Sequence, residues 1–95
     1  AEAQRQVAKA KADQARAQAN AKAAAAKKAK QDKLDALALR ERELKVRLAE
    51  LQVEEREAKV GTTVAEEAVR AETAREKVQL ELERTRAEIK RIGSE

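Results

Sequence analysis

The residues of this chain best suited to chemistry are carboxylates, and their densest group is the run Glu54-Glu55-Arg56-Glu57. Such oxygens could hold a divalent cation, or two carboxylates could act as a general acid and a general base. A catalytic pair needs a concave, partly dry site that separates its two pKa values. Adjacent carboxylates on a helix instead point in different directions. The run therefore predicts a solvated helix face and no metal site.

Other residue types that carry catalysis are scarce. The chain has no cysteine and no histidine, its one serine is Ser94, and its two glycines are Gly61 and Gly93. A serine nucleophile would have no histidine base, and no glycine-rich loop could bind a phosphate. We therefore expect a non-enzymatic protein without a cofactor. No apolar run approaches the ~20 residues of a membrane span, so no transmembrane segment is predicted.

The supply of large apolar side chains is too small for a globular core. Among the 95 residues, 23 are alanine and only 17 are leucine, valine or isoleucine. A compact domain of this length buries about 60–65% of its unfolded surface even with an ordinary apolar content. Proline is absent, and the commonest residues are the strongest helix formers. The predicted fold class is all-α and elongated.

Two zones differ in composition and charge. Residues 1–33 hold 14 alanines, nine basic and three acidic residues, a net charge of +6. Residues 34–95 hold 13 basic and 15 acidic residues, a net charge of −2, and the two values sum to the formal +4 of the chain. We expect residues 1–33 to form a basic Ala/Lys/Gln-rich helical extension, which frays unless something packs on it.

One break interrupts the helical pattern, at residues 61–63. Gly61 suits the position after a helix, since glycine adopts the left-handed conformation at low cost. Thr63 followed by Glu66 matches a capping box, with Thr63 as the N-cap and Glu66 reaching back to it. The predicted turn residues are Gly61, Thr62, Thr63 and Glu66.

The apolar periodicity changes phase at this break. A spacing of four and three residues runs through residues 34–58, and a second one runs through residues 64–92. Such a spacing keeps one face of each helix toward a partner. Arg75 falls within the second spacing, where it could fix register or lay its stem along the seam with its head in water. The predicted hairpin seam consists of Leu34, Leu37, Leu44, Leu48, Leu51, Val64, Val78, Leu82, Ile89 and Ile92.

Nearly equal arms about a turn predict an antiparallel coiled-coil helical hairpin. Each arm would be about 40–45 Å long at 1.5 Å per residue. The alternative is one continuous helix through Gly61 in a long parallel coiled coil. The predicted parts are the extension at 1–33, arm 1 at 34–60, the turn at 61–63, arm 2 at 64–92 and a tail at 93–95.

Arm 1 carries a second apolar stripe, here called the outer stripe. Its members are spaced by seven residues: Leu39, Val46, Val53 and Val60. They lie opposite the seam leucines because two residues rotate a helix by about 200°. A two-helix hairpin buries one face of each helix, so a second apolar face predicts a homo-oligomer. The alternative is that these side chains are scattered over a solvated face.

Three strings of residues, 46–54, 61–69 and 80–86, are similar to a known family. They resemble the α-helical hairpin of hemolysin-D-type periplasmic adaptor (membrane fusion) proteins. Hairpins of that family often turn through a glycine, a small residue, a valine and a Ser-Glu-Glu start, and return through Leu-Glu-Leu-Glu-Arg-Thr-Arg. The resemblance covers about residues 34–92. It implies a periplasmic hairpin that docks on a partner channel.

The tip departs from the adaptors that dock on outer-membrane channels. Those adaptors commonly carry an arginine, a leucine and a serine or threonine at the hairpin tip. The matching positions here hold Glu54, Ala58 and Ala65. The lipoyl and β-barrel parts of such adaptors also have no counterpart in this sequence. The resemblance therefore implies the hairpin alone, or a relative with another partner.

Alanine- and glutamine-rich helices followed by charged coiled coil also resemble internal virion, ejection or scaffolding proteins of phages. Those proteins pack many helices into tubes or shells. This alternative implies a structural protein partner within a large assembly and a place in the virion.

The basic extension suggests a further alternative, binding of an anionic polymer such as nucleic acid. Residues 23–30 resemble a fragment of a linker-histone tail. Nine cations could neutralise phosphates and release counterions. No aromatic side chain could stack on a base, and no recognition motif is present, so a solvated helix is the other interpretation. The candidate anion contacts are Lys22, Lys27, Lys28, Lys30 and Lys33.

Overall fold

The computed structural model describes residues 1–61 and 64–95, which form two α-helices. Helix α1 spans Glu2–Val60 and helix α2 spans Ala65–Gly93, and the described residues contain no strand. The protein is therefore all-α, as its helix-favouring composition predicts. Because α1 ends at Val60, the alternative of one continuous helix through Gly61 is wrong.

The chain divides into two compact units, Ala1–Lys33 and Leu34–Glu95. The first unit is helical from Glu2 onward, and its side chains are exposed apart from the half-buried Lys30. Alanine makes such a helix favourable because it loses no side-chain entropy on ordering. The second unit contains both arms of the hairpin and all the buried residues of the described chain.

Three ion pairs join the two helices and show their relative direction. With N–O distances of 3.2, 3.3 and 2.6 Å, they link Arg40 to Glu81, Arg86 to Glu41 and Arg75 to Glu55. From Glu41 to Glu55 the first helix advances 14 residues (55 − 41), while the partner position moves back 11 (86 − 75). The arms are therefore antiparallel, and the predicted hairpin fold is confirmed.

The core of the hairpin is a thin layer between the two helices. Its buried apolar side chains are Leu44, Leu51, Leu82 and Ile92. Leu34, Leu37, Leu48, Val78 and Ile89 are half-buried in the same layer. One member of the predicted seam lies elsewhere, since Val64 is 61% exposed. Val64 precedes the first residue of α2, so the helical spacing does not extend to it.

The end of α1 differs from the predicted glycine cap. The Gly61 N–H donates to the Glu57 carbonyl oxygen at 3.0 Å, which continues the helical hydrogen-bond pattern by one residue. No glycine among residues 1–61 and 64–95 has a positive φ. The described residues therefore do not show the left-handed conformation predicted for Gly61.

The start of α2 also differs from the predicted capping box. The N-cap is Val64, in an extended conformation with no side-chain cap hydrogen bond, and the helix begins at Ala65. Thr62 and Thr63 lie outside the described residues. Glu66 and Glu67 occupy the first turn, where their charges favour the positive end of the helix dipole. The carboxylates of Glu66 and Glu67 thus stabilise the start of α2, where the N-cap residue offers no side-chain hydrogen bond.

Candidate functional site

Three charged side chains meet across the arms near the turn and form what we call the charged cluster: Glu55, Lys59 and Arg75. Glu55 Oε2 accepts a hydrogen bond from Arg75 Nε at 2.6 Å, and Glu55 Oε1 accepts one from Lys59 Nζ at 2.9 Å. Arg75 Nη1 also donates to Gln79 Oε1 at 2.8 Å. The Glu55 side chain is 12% exposed and that of Arg75 is 22% exposed. Glu55 and Arg75 therefore belong to the seam, while Lys59 lies at its rim with its side chain 51% exposed.

The position of the cluster follows from the two seam spacings. Glu55 lies four residues after Leu51, and Arg75 lies three residues before Val78, so each takes a place that a large apolar residue would otherwise fill. A helical arginine can lay its long apolar stem along a seam and present its guanidinium at the edge. Lys59 follows Glu55 by one turn, the favourable order for a helical ion pair.

Electrostatics in the cluster favour the charged forms. The hydrogen bond from Arg75, followed by that from Lys59, lowers the pKa of Glu55 below its ordinary value. The hydrogen bond to Glu55 raises the pKa of Lys59, and the same contact raises the pKa of Arg75. All three groups therefore stay ionised near neutral pH, and none is poised to transfer a proton.

The cluster is built to hold two helices together. Both carboxylate oxygens of Glu55 already accept hydrogen bonds from cations, which leaves little of their capacity for a metal ion. Among the described residues no group of three metal-ligating side chains comes together. A slip of one arm along the other would separate Glu55 from Arg75 and leave the Glu55 carboxylate, which is 12% exposed, with only the Lys59 contact of its own helix. Losing one partner of a largely buried ion pair is unfavourable. The geometry thus suits the fixing of register.

The outer stripe lies on the opposite side of arm 1. Leu39, Val46, Val53 and Val60 are 50–82% exposed. Leu39, Val46 and Val53 are each two positions after a seam leucine, and this spacing turns a side chain about 200° around the helix. Arm 1 therefore presents one apolar face to arm 2 and a second one to solvent.

The predicted anion-binding lysines all lie on the first unit. Lys22, Lys27, Lys28 and Lys33 are exposed, and Lys30 is half-buried. Consecutive members are one to five residues apart with no helical repeat, so they are distributed around the helix rather than along one face. The predicted turn residue Glu66 is exposed within the first turn of α2.

Sequence reasoning singled out Arg75 but not its partner across the seam. Glu55 is named in the carboxylate run and falls within the first spacing of residues 34–58, but the sequence reasoning does not pair it with Arg75. The signal that could have found it is its place in the first apolar spacing, matching the place of Arg75 in the second. Two polar residues of opposite charge at facing core positions predict a buried ion pair once the hairpin register is known.

Within residues 1–61 and 64–95, neither helix has a stretch long and apolar enough to span a membrane. Comparison with protein-family models, with curated proteins and with solved structures finds no match.

Proposed function

We propose that this chain is a non-enzymatic structural module, a helical hairpin that assembles side by side with further copies and serves as a docking or spacing element of a larger assembly. The observation that carries the proposal is the outer stripe, which leaves a regular apolar face exposed on arm 1. An apolar position repeated every seven residues and flanked by charges is typical of a helix face that packs on another helix.

The thin seam supports the same proposal. Only four apolar side chains are buried in the described chain, and none of its large side chains is fully enclosed. A core of this size contributes little stability by itself. Association of further helices on the outer stripe would add the burial that two helices alone lack.

The test is the molar mass of the protein in solution, measured by light scattering across a concentration series. The variant Val46→Glu with Val53→Glu places two charges in the outer stripe and should yield a helical monomer. A matched control is Val7→Glu with Val69→Glu, because these valines are similarly exposed but lie outside the stripe. The control should keep the mass of the unmodified protein. An unchanged mass for the stripe variant would contradict the proposal.

Two kinds of assembly remain alternatives within this proposal. An adaptor-type hairpin would form a small closed oligomer that contacts a partner channel. A virion, ejection or scaffolding protein would form open tubes or shells of many copies. A single oligomer mass that does not grow with concentration favours the first alternative, and concentration-dependent growth favours the second.

Anionic-polymer binding is a second candidate function, favoured by the charge of the first unit. Residues 1–33 carry a net charge of +6 on a largely exposed helix. If the extension binds nucleic acid, its affinity for a random-sequence DNA duplex should fall steeply with salt, with a slope of about −0.9 per phosphate contacted in a plot of log affinity against log salt. A chain with Lys27→Gln and Lys28→Gln should bind more weakly and show a shallower slope. Absence of binding at low salt would contradict this candidate.

A further inference from the structure

We propose that the outer stripe of arm 1 pairs with the outer stripe of a second copy of this chain, and that the two arms run parallel. This inference rests on the proposed self-association and adds its geometry. It is drawn from the charges on the two flanks of the stripe, which differ in sign.

One flank of the stripe is acidic. The residues four positions after successive stripe members are Glu43, Glu50 and Glu57. Four residues advance a helix by about 400°, so these carboxylates lie about 40° to one side of the stripe. Arg40, Arg47 and Glu54, one position after the stripe members, lie about 100° to the same side, so the flank holds four carboxylates and two guanidinium groups, a net charge of −2. Glu43 lies 3.8 Å from Arg40 and Glu50 lies 3.2 Å from Arg47, yet both carboxylates remain more than half exposed. They can therefore accept a further cation from a neighbouring copy.

The other flank is basic or neutral. The residues three positions after and one position before the stripe members lie about 60° and 100° to the opposite side. Between positions 42 and 59 they are, in chain order, Arg42, Lys45, Ala49, Gln52, Arg56 and Lys59. Lys45 and Lys59 also hold carboxylates of their own helix, at 3.6 and 2.9 Å. No acidic residue interrupts this flank between positions 42 and 59.

The difference between the flanks selects an orientation. When two identical faces are related by a twofold axis parallel to the helices, the acidic flank of each copy meets the basic flank of the other. When the axis is perpendicular to the helices, acid meets acid and base meets base. Opposed potentials favour an encounter and like potentials penalise it, so the parallel arrangement is the complementary one.

The spacing of the stripe supports a long parallel contact. A strict repeat of seven residues keeps the same face toward the partner when the helices coil around each other with a left-handed twist. Leu39, Val46, Val53 and Val60 follow this repeat over three full periods. In a parallel pair each stripe residue lies beside its own equivalent, so the apolar contacts and the flank contacts are satisfied together.

The orientation is tested by a distance between copies. The chain contains no cysteine, so Ala38→Cys offers one exposed site for a spin label at the start of the stripe. In a parallel pair the two labels lie at the same height and should be within about 25 Å, since paired helices are 8–10 Å apart and the label linkers add the rest. In an antiparallel pair centred on the stripe they would be about 35 Å apart along the axis, from 23 residues at 1.5 Å each.

Each outcome has a distinct meaning. A short distance supports the parallel pair. A distance near 35 Å overturns the orientation but leaves the self-association standing. A monomeric mass with no distance between copies overturns this inference together with the proposed function.

A charge reversal gives an independent test. Glu43→Lys with Glu57→Lys leaves Glu50 in place but turns the net charge of the acidic flank positive, and a parallel pair should dissociate at least ~10-fold more readily. Glu83→Lys with Glu88→Lys is the matched control, because it adds the same charge to exposed sites of α2 and likewise removes one exposed ion pair, between Glu88 and Arg91. The control should change the dissociation constant less than ~3-fold. An antiparallel pair would not respond to the reversal, since like charges already meet, so equal effects in both variants overturn the inference.

Discussion

Replacing Leu82 by alanine should destabilise the hairpin strongly, while replacing Leu80 by alanine should not. The two leucines are two residues apart on α2, but Leu82 is 3% exposed and faces arm 1, whereas Leu80 is 46% exposed. The buried change removes three carbon atoms from the core, at about 0.8 kcal/mol each, and leaves a small cavity. Two helices can close part of that cavity, so we expect a loss of about 2.5 kcal/mol in the free energy of unfolding.

The exposed change serves as the control. Alanine has a slightly higher helix propensity than leucine, so Leu80→Ala should change the free energy of unfolding by less than ~0.5 kcal/mol. The predicted difference between the variants corresponds to about 30-fold or more in the folding equilibrium constant.

Urea unfolding followed by circular dichroism at the helical band measures both variants. The chain has no tryptophan or tyrosine, so its concentration must be determined from peptide-bond absorbance or by refractometry. The exposed first unit should melt gradually, and the cooperative step belongs to the hairpin. Equal shifts in the midpoint of that step for Leu82→Ala and Leu80→Ala would refute the assignment of the seam.

Three further predictions concern the ends and edges of the seam. The pKa of Glu55 is lowered in the folded protein, so the stabilisation it provides is present above the ordinary pKa of 4.5 and is lost as the pH falls through the lowered pKa. Glu55→Gln should therefore flatten the decline of the unfolding free energy at acid pH in a stability–pH profile. Gly61→Ala should change the free energy of unfolding by less than ~1 kcal/mol in a urea titration, because no positive φ opposes alanine. Arg86→Ala removes an exposed pair with Glu41 and should cost less than ~1 kcal/mol, with a smaller effect in high salt.

The seam could be predicted from the sequence because its periodicity is strong. The spacing of Leu44, Leu51 and Leu82 identifies one face of each helix, and these residues are buried. Periodicity carries no information where the helix has not yet begun, so the spacing predicts a seam position for Val64 although that side chain is exposed. The phase change at Gly61 located the turn, since a single helix cannot present both spacings to one partner.

The geometry of the turn and the pairing of charges could not be read in the same way. Glycine permits a left-handed conformation but does not require it, and Gly61 instead continues the helical hydrogen bonding. The pairing of Glu55 with Arg75 depends on the axial offset of the two helices. That offset is set by how the seam side chains interdigitate, a property of three dimensions that neither spacing contains separately.

The position of the charged cluster has a mechanical consequence. Of the ion pairs between the arms, Glu55–Arg75 lies nearest the turn, whereas Arg86–Glu41 lies toward the open end. A force that pulls the free ends of the arms apart loads the open end first, and the Glu55–Arg75 contact is among the last to separate. If the two helices separate only as far as the Glu55–Arg75 pair, they rejoin in the original register. The remaining pair permits only one axial alignment of the helices, and the loop that still has to close is short. The hairpin is therefore suited to repeated partial opening under load without losing its register.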